Sequence, residues 1–241
     1  MTPQKSYIFE SMEQKRYERQ LKMPEIGPEG QEKLSKAKVL VVGAGGLGSP
    51  IATYLTGAGV GTLGLMDDDV VSLNNLHRQV LYSEDQIGQS KVLCAQARLK
   101  ALNSEVQLLT YAEKLTQSNA EAIIKEYDIV VDATDNADAR YIISDCCQAL
   151  GKPYVYGAIC GLEGQVAVLC CGKASYRTLY PKVEGAPIPE IKRIVVGVTP
   201  AIVGGAEAAQ VIQLICGYGQ PLIDKLWTID LRTMQTAIYN L

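Results

Sequence analysis

Residues 38–59 read KVLVVGAGGLGSPIATYLTGAG. KVLVV is a short β-branched run, GAGGLG a turn with glycines at 43, 45, 46 and 48, and SPIATYLTGAG a helix. Pro50 fits the first turn of that helix, where an amide donor would be unpaired anyway, and the glycines at 57 and 59 close it. Gly43, Gly45 and Gly48 satisfy G-x-G-x-x-G after a strand and before a helix, the context in which the motif carries meaning. There the backbone can approach a phosphate closely, and the helix N-terminus supplies positive potential. The plainer alternative is a set of glycines that only packs a helix. On this motif alone the reading is a dinucleotide site, with Asp67 at the next strand end holding a ribose hydroxyl.

Outward from this unit, strands and helices alternate. GTLGLMD (61–67) reads as a strand, KVLCAQARLKALN (91–103) as a helix, EVQLLTYA (105–112) as a strand, and 118–125 as a helix. YDIVVDATD (127–135), ADARYIISDCCQAL (137–150) and PYVYGAI continue the alternation. The pattern predicts an α/β, Rossmann-like fold: a mostly parallel sheet with helices on both faces. After Gly161 it changes. GQVAVLCC (164–171), WTIDL and TAIYNL read as added antiparallel strands, separated by a Pro/Gly-rich loop (172–200) and an Ala-rich helix (201–216). The expected organisation is an N-terminal helical segment, 1–37, followed by one Rossmann-like domain, 38–241. Its nucleotide part would be about 38–160 and its substrate side about 161–241.

Charge and cysteine usage narrow the classes. With 23 Lys and Arg against 26 Asp and Glu, the chain lacks the cation surplus of a sequence-independent nucleic-acid binder. The longest apolar runs noted, 39–42 and 129–131, are too short to span a bilayer, so no membrane partner is expected. No leader pattern stands at the start, and a cytoplasmic protein is expected. Seven cysteines (94, 146, 147, 160, 170, 171, 216) without any C-x-x-C read as reduced, mostly buried thiols.

A second constellation redirects the reading from dinucleotide to triphosphate. Asp67, Asp69, Asn75, Arg78 and Lys91 follow one another through the loop DDDVVSLNNLHRQ into the next helix. A pyrophosphate is satisfied largely by backbone amides, whereas two cations beside the glycine loop suit a triphosphate and a pyrophosphate leaving group. Asp135, in VDATDN at a strand's carboxyl end, is placed as a Mg²⁺ ligand, because Mg²⁺ prefers one or two carboxylates plus phosphate oxygens. Taken singly, Asp69 could cap a turn, and Arg78 or Lys91 could be solvated surface charges. His77, the sole histidine, is expected to be structural or on the loop surface.

Together, R-x-x-R-Q (16–20), GAGGLGS, D-x-D-x-V-x-x-x-N-L-x-R-Q (67–79), IGQSK (87–91), TDN (134–136) and GQV (164–166) resemble the ThiF/MoeB/HesA family. These are the bacterial relatives of ubiquitin-activating enzymes. The resemblance implies a homodimer that binds ATP and Mg²⁺, adenylates the C-terminal glycine carboxylate of a ubiquitin-like sulfur carrier protein, and releases pyrophosphate. It implies that 43–48, including Gly46, cradle phosphates and that Asp67 holds the ribose. It implies that Asn75, Arg78 and Lys91 bind the triphosphate, and that Asp135, beside Asn136, holds Mg²⁺ or orients attack. Arg19 resembles the family's arginine that reaches across the dimer to its neighbour's phosphates, where a cation supplied in trans neutralises departing charge.

The sequence also departs from the family. Where many members carry a first zinc C-x-x-C, residues 175–178 read Ser-Tyr-Arg-Thr, and no second pair appears up to Leu241. Tetrahedral zinc needs four thiolate or imidazole ligands, so no zinc is expected. The crossover loop, about 172–198, holds no cysteine, although its segment 185–189 is otherwise family-like. Cys160, Cys170 and Cys171 are expected in or beside strands, with at least one of the last two buried and all of them poor nucleophiles. The loop departure leaves a small-molecule carboxylate as the alternative substrate; an NAD-dependent oxidoreductase, from the glycine motif, and a non-catalytic nucleotide-binding subunit are the competing readings.

Overall fold

A computed structural model describes residues 15–181 and 194–241. Two helices lead in, α1 (Glu18–Leu21) and α2 (Gly27–Lys36), before the first strand, β1 (Lys38–Val42). Then come α3 (Gly48–Ala58), β2 (Thr62–Met66), α4 (Lys91–Leu102), β3 (Gln107–Tyr111), α5 (Ala120–Ile124) and β4 (Ile129–Asp132). The rest is α6 (Ala137–Leu150), β5 (Tyr154–Cys160), β6 (Glu163–Leu169), α7 (Tyr176–Leu179), α8 (Val198–Cys216), β7 (Lys225–Asp230) and β8 (Gln235–Asn240).

One eight-stranded sheet runs in the order β3-β2-β1-β4-β5-β6-β7-β8. The five strands β3 to β5 pair in parallel, and β6, β7 and β8 add on antiparallel, as the change of pattern after Gly161 predicts. Alternation within β1 divides the core. Val39 and Val41 face α3, α4 and α8, while Leu40 and Val42 face α5 and α6. Burial on both faces explains the continuous apolar run of β1.

The register positions the site. Val42 pairs with both Met66 and Asp132, so β1, β2 and β4 end side by side at one edge. Chain order reverses between β1 and β4, and open α/β sheets bind ligands outside the carboxyl ends at such a switch point. Two expectations about strand ends are corrected here. Strand β4 stops at Asp132, so Asp135 belongs to the turn beyond it rather than to the strand. Strand β6 stops at Leu169, because Cys170 adopts φ 64, a left-handed backbone that cannot continue a strand.

Helix α8 also corrects the sequence reading. By length and composition alone it is apolar enough to cross a membrane, where no such stretch was expected. Polar residues spaced through it, among them Thr199, Glu207 and Gln210, hide the run from a search for continuous apolar sequence. In the fold it lies against α2, α3, β5 and β6, and Val203, Ala208 and Val211 join the core beneath it.

Candidate nucleotide site

A cleft of about 1100 Å³ opens over the carboxyl ends of β1, β2 and β4. The 43–48 turn forms one wall. Gly43 sits at φ +100, and a Cβ there would meet the Ala133 carbonyl oxygen at 2.5 Å, so the turn tolerates only glycine. No side chain caps α3, whose Ser49 and Ile51 amides donate to the Gly45 (3.0 Å) and Leu47 (3.2 Å) carbonyls and whose Pro50 has no amide to donate. Asp67 pins the turn: one carboxylate oxygen accepts from the Ala44 amide (2.8 Å) and the other from the Asp69 amide (2.8 Å). Each oxygen keeps a second lone pair, so Asp67 can still accept from two ribose hydroxyls.

Gly43, Gly45, Gly46, Asp67, Asp69, Asn75, Arg78, Lys91, Asp135 and Asn136 all line this one cleft, although they span 94 positions of sequence from 43 to 136. Gly48 lies just behind the wall, as the buried first residue of α3. Arg19 is not among them; it is exposed on α1. Asn136 has a structural task, since its side chain caps α6 by accepting from the Ala139 amide at 2.9 Å. His77 is exposed, 2.7 Å from Arg78 Nη1.

The cations differ in kind. Lys91 is buried; its Nζ donates to Asp69 at 2.8 Å and stands 4.0 Å from Asp67. Lys114 pairs with Asp68 at 3.6 Å, and Arg140 with the buried Asp132 at 3.1 Å. Arg78 donates to the Asn74 carbonyl (2.9 Å) and has no carboxylate partner among the described residues. Six carboxylates (Asp67, Asp68, Asp69, Glu113, Asp135, Asp138) face four cations (Arg78, Lys91, Lys114, Arg140) along the described cleft wall. A bare polyanion would meet net repulsion there, whereas one carrying a divalent cation would not. Asp67, Asp68 and Asp69 bring ligand oxygens within 4.8 Å of one another, and Asp135 stands across the cleft.

Three polar groups near the cleft went unassigned at the level of sequence. Gln79 is buried beside Gly45 with Oε1 unpartnered; its place in the R-Q pair was the available signal. Asp132 and Arg140 form the ion pair beneath the Thr134 turn. Glu207, on α8, is fully buried, and neither carboxyl oxygen has a partner among the described residues. Gly157 makes room for it, since a Cβ there would overlap the carboxyl group. Burial first, then the negative charge of Asp132, hold Glu207 protonated far above the usual carboxylate range, against the pull of Arg140.

That protonation has a consequence for stability. Between the unfolded carboxylate pKa and the raised folded one, the native state binds more protons, so stability falls as pH rises. The slope is about 1.4 kcal/mol per pH unit. Glu207→Gln removes the ionisation. Its Tm minus that of wild type should widen as pH rises above the ordinary carboxylate range, by roughly 3–6 °C per unit until Glu207 ionises in the folded state. Thermal unfolding across that range checks it, and a gap independent of pH would show that Glu207 does not titrate this way.

At the departures from the family pattern, Ser175 and Thr178 form a reciprocal capping box on α7: Ser175 accepts from the backbone at 178, and the Ser175 amide donates to Thr178 Oγ1 at 3.0 Å. The cysteine expectation needs correction. Cys160 and Cys171 are exposed, because β5 ends at Cys160 and the chain has left β6 before Cys171. Cys170 is half-buried, and burial pushes its thiol up to about 11.

The model of the ThiF family matches residues 17–241. The chain is 47% identical over 223 residues to the sulfur carrier protein adenylyltransferase of Thermus thermophilus, covering 89% of this chain and 82% of that one. It is 45% identical over 231 residues to adenylyltransferase and sulfurtransferase MOCS3-1 of Zea mays, covering 94% of this chain and 49% of the relative. This chain thus spans about half the length of the maize protein. Among solved structures, selenomethionine PaaA superposes with a TM-score of 0.82 at 25% identity, covering 100% of this chain and 77% of that one. The ATP complex of Escherichia coli MccB superposes with a TM-score of 0.75 at 24% identity, covering 88% and 66%, and so shares the fold.

Proposed function

This chain belongs to the ThiF family, and from that premise we propose that it is an ATP-dependent adenylyltransferase acting on the C-terminal glycine carboxylate of a ubiquitin-like sulfur carrier protein. The observation that carries the reading is the convergence of the 43–48 turn, Arg78, Lys91 and Asp135 on one cleft. In the reaction a carboxylate oxygen of the carrier bonds to the α-phosphorus while the bond from that phosphorus to the bridging oxygen breaks. Acyl-adenylate and pyrophosphate result. The carboxylate is already ionised, so the step needs no general base. It needs charge stabilisation on the departing pyrophosphate.

The chain's residues divide that work. Amides of the turn donate to phosphate oxygens, and Asp67 accepts from the ribose. Arg78, with no carboxylate partner among the described residues, would bind the β and γ phosphates. Lys91 sits beneath them, held by Asp69. Asp135 would hold Mg²⁺, which would neutralise phosphate charge on the leaving group. The excess of acids over cations among the described residues of the cleft supports a metal–nucleotide complex as the species bound. Arg19, exposed on α1, is proposed to act in trans across a homodimer. Seven free thiols and a demand for ATP fit a cytoplasmic place of action.

Pyrophosphate exchange tests this directly. ATP should exchange label with pyrophosphate only in the presence of a carrier ending in Gly-Gly, and a carrier lacking the terminal glycine should give none. Exchange supported by small carboxylates without a carrier would select the small-molecule reading. Reduction of NAD without exchange would select the oxidoreductase.

A further inference from the structure

Asp132 closes β4 in full burial, at the floor of the cleft. Its Oδ1 accepts from the Thr134 amide (2.8 Å) and from Thr134 Oγ1 (2.6 Å). Its Oδ2 accepts from Arg140 Nε (3.1 Å) and from the Tyr154 hydroxyl (2.8 Å). Four donors on one carboxylate fix its orientation. Arg140, on the second turn of α6 and almost wholly buried, turns its other arm back: Nη2 donates to the Thr134 carbonyl at 2.9 Å and reaches the Gly157 carbonyl at 3.4 Å. The guanidinium also lies 5.4 Å from the centre of the Tyr156 ring.

The result falls on Thr134. Its amide, hydroxyl and carbonyl are all held by the same ion pair, the first two by Asp132 and the third by Arg140. On the other side of Asp135, Asn136 is fixed by its cap on Ala139. Asp135 is therefore an exposed residue strung between two immobilised neighbours, at the lip of the cleft.

We propose that Asp132 and Arg140 are positioning residues, whose buried pair sets the Thr134 turn so that the Asp135 carboxylate meets the metal–triphosphate complex. This rests on the adenylyltransferase reading above. A buried ion pair adds little net stability over an apolar replacement, so its retention here is explained better by the geometry it imposes. Supporting residues behind a metal ligand act in this way, and losing one costs about 10–100-fold in metal affinity or activity.

Arg140→Lys keeps a cation near Asp132 but cannot span both Asp132 and the Thr134 carbonyl. Thr134→Val removes only the hydroxyl link and leaves every charge in place. Two readouts apply: Mn²⁺ binding to the enzyme–ATP complex, followed by electron paramagnetic resonance, and the Mg²⁺ concentration giving half-maximal pyrophosphate exchange. Both should weaken at least tenfold in Arg140→Lys and several-fold in Thr134→Val, while metal-free ATP binding by calorimetry stays within about twofold. Asp135→Asn is the reference and should weaken metal binding at least as much. If Arg140→Lys does not fold, Thr134→Val decides. Variants that lose Tm or active fraction while holding wild-type metal affinity would reduce the pair to a structural role and overturn the proposal. Failure of wild type to bind ATP or exchange pyrophosphate would instead remove the adenylyltransferase reading.

Discussion

Asp135→Asn lowers Mg²⁺-supported pyrophosphate exchange by about 10³-fold or more, with Tm close to wild type. The magnitude follows from losing a metal–carboxylate contact that supplies several kcal/mol of charge stabilisation as pyrophosphate departs. The intact fold follows from the position. Asp135 is exposed, and asparagine keeps the shape and the hydrogen-bonding reach of the side chain. Exchange kinetics at saturating Mg²⁺, beside a thermal melt, check both halves. Near-normal exchange would take Asp135 out of the mechanism.

Arg78→Ala and Lys91→Ala each lower adenylation by about 10²–10³-fold, the scale of removing one preorganised donor from developing charge. The structure separates the two variants. Arg78 is paired with no carboxylate among the described residues, so its loss removes phosphate contact and leaves Tm nearly unchanged. Lys91 is buried between Asp67 and Asp69, and its loss leaves the shielded Asp67 without a counter-charge. Lys91→Ala therefore loses stability as well, by about 1–3 kcal/mol, the cost of stranding a buried polar partner. Exchange rates and melts of both variants give the comparison. Wild-type exchange in either would remove that residue from the site, and an equal fall in Tm for both would contradict the assigned pairing.

The phosphate turn was legible in the sequence because its physics is local. A β-branched strand, a glycine at positive φ and an uncapped helix all lie within the 22 residues from 38 to 59. The alternation of strands and helices likewise made the parallel sheet readable, and the change after Gly161 announced β6, β7 and β8. The charged positions of the cleft were visible as residue types, but their states were not. Lys91 and Arg78 look alike in sequence, yet one is sealed against two aspartates and the other is open to a ligand.

The sequence by itself determined the strand–turn–helix unit and the α/β class, since each depends on periodicity or on backbone constraints within a few positions. The tertiary structure alone decided that Asp132 and Arg140 hold the Thr134 turn, that Glu207 is buried against Gly157, and that Cys160 and Cys171 are exposed. The pairing of β4 with β5 brings Tyr154 over Asp132, and the docking of α8 on β5 brings Glu207 to Gly157, 50 positions away. Such contacts depend on where a chain ends a strand and which element packs above it. Those are outcomes of long-range burial, and no local pattern of residues encodes them.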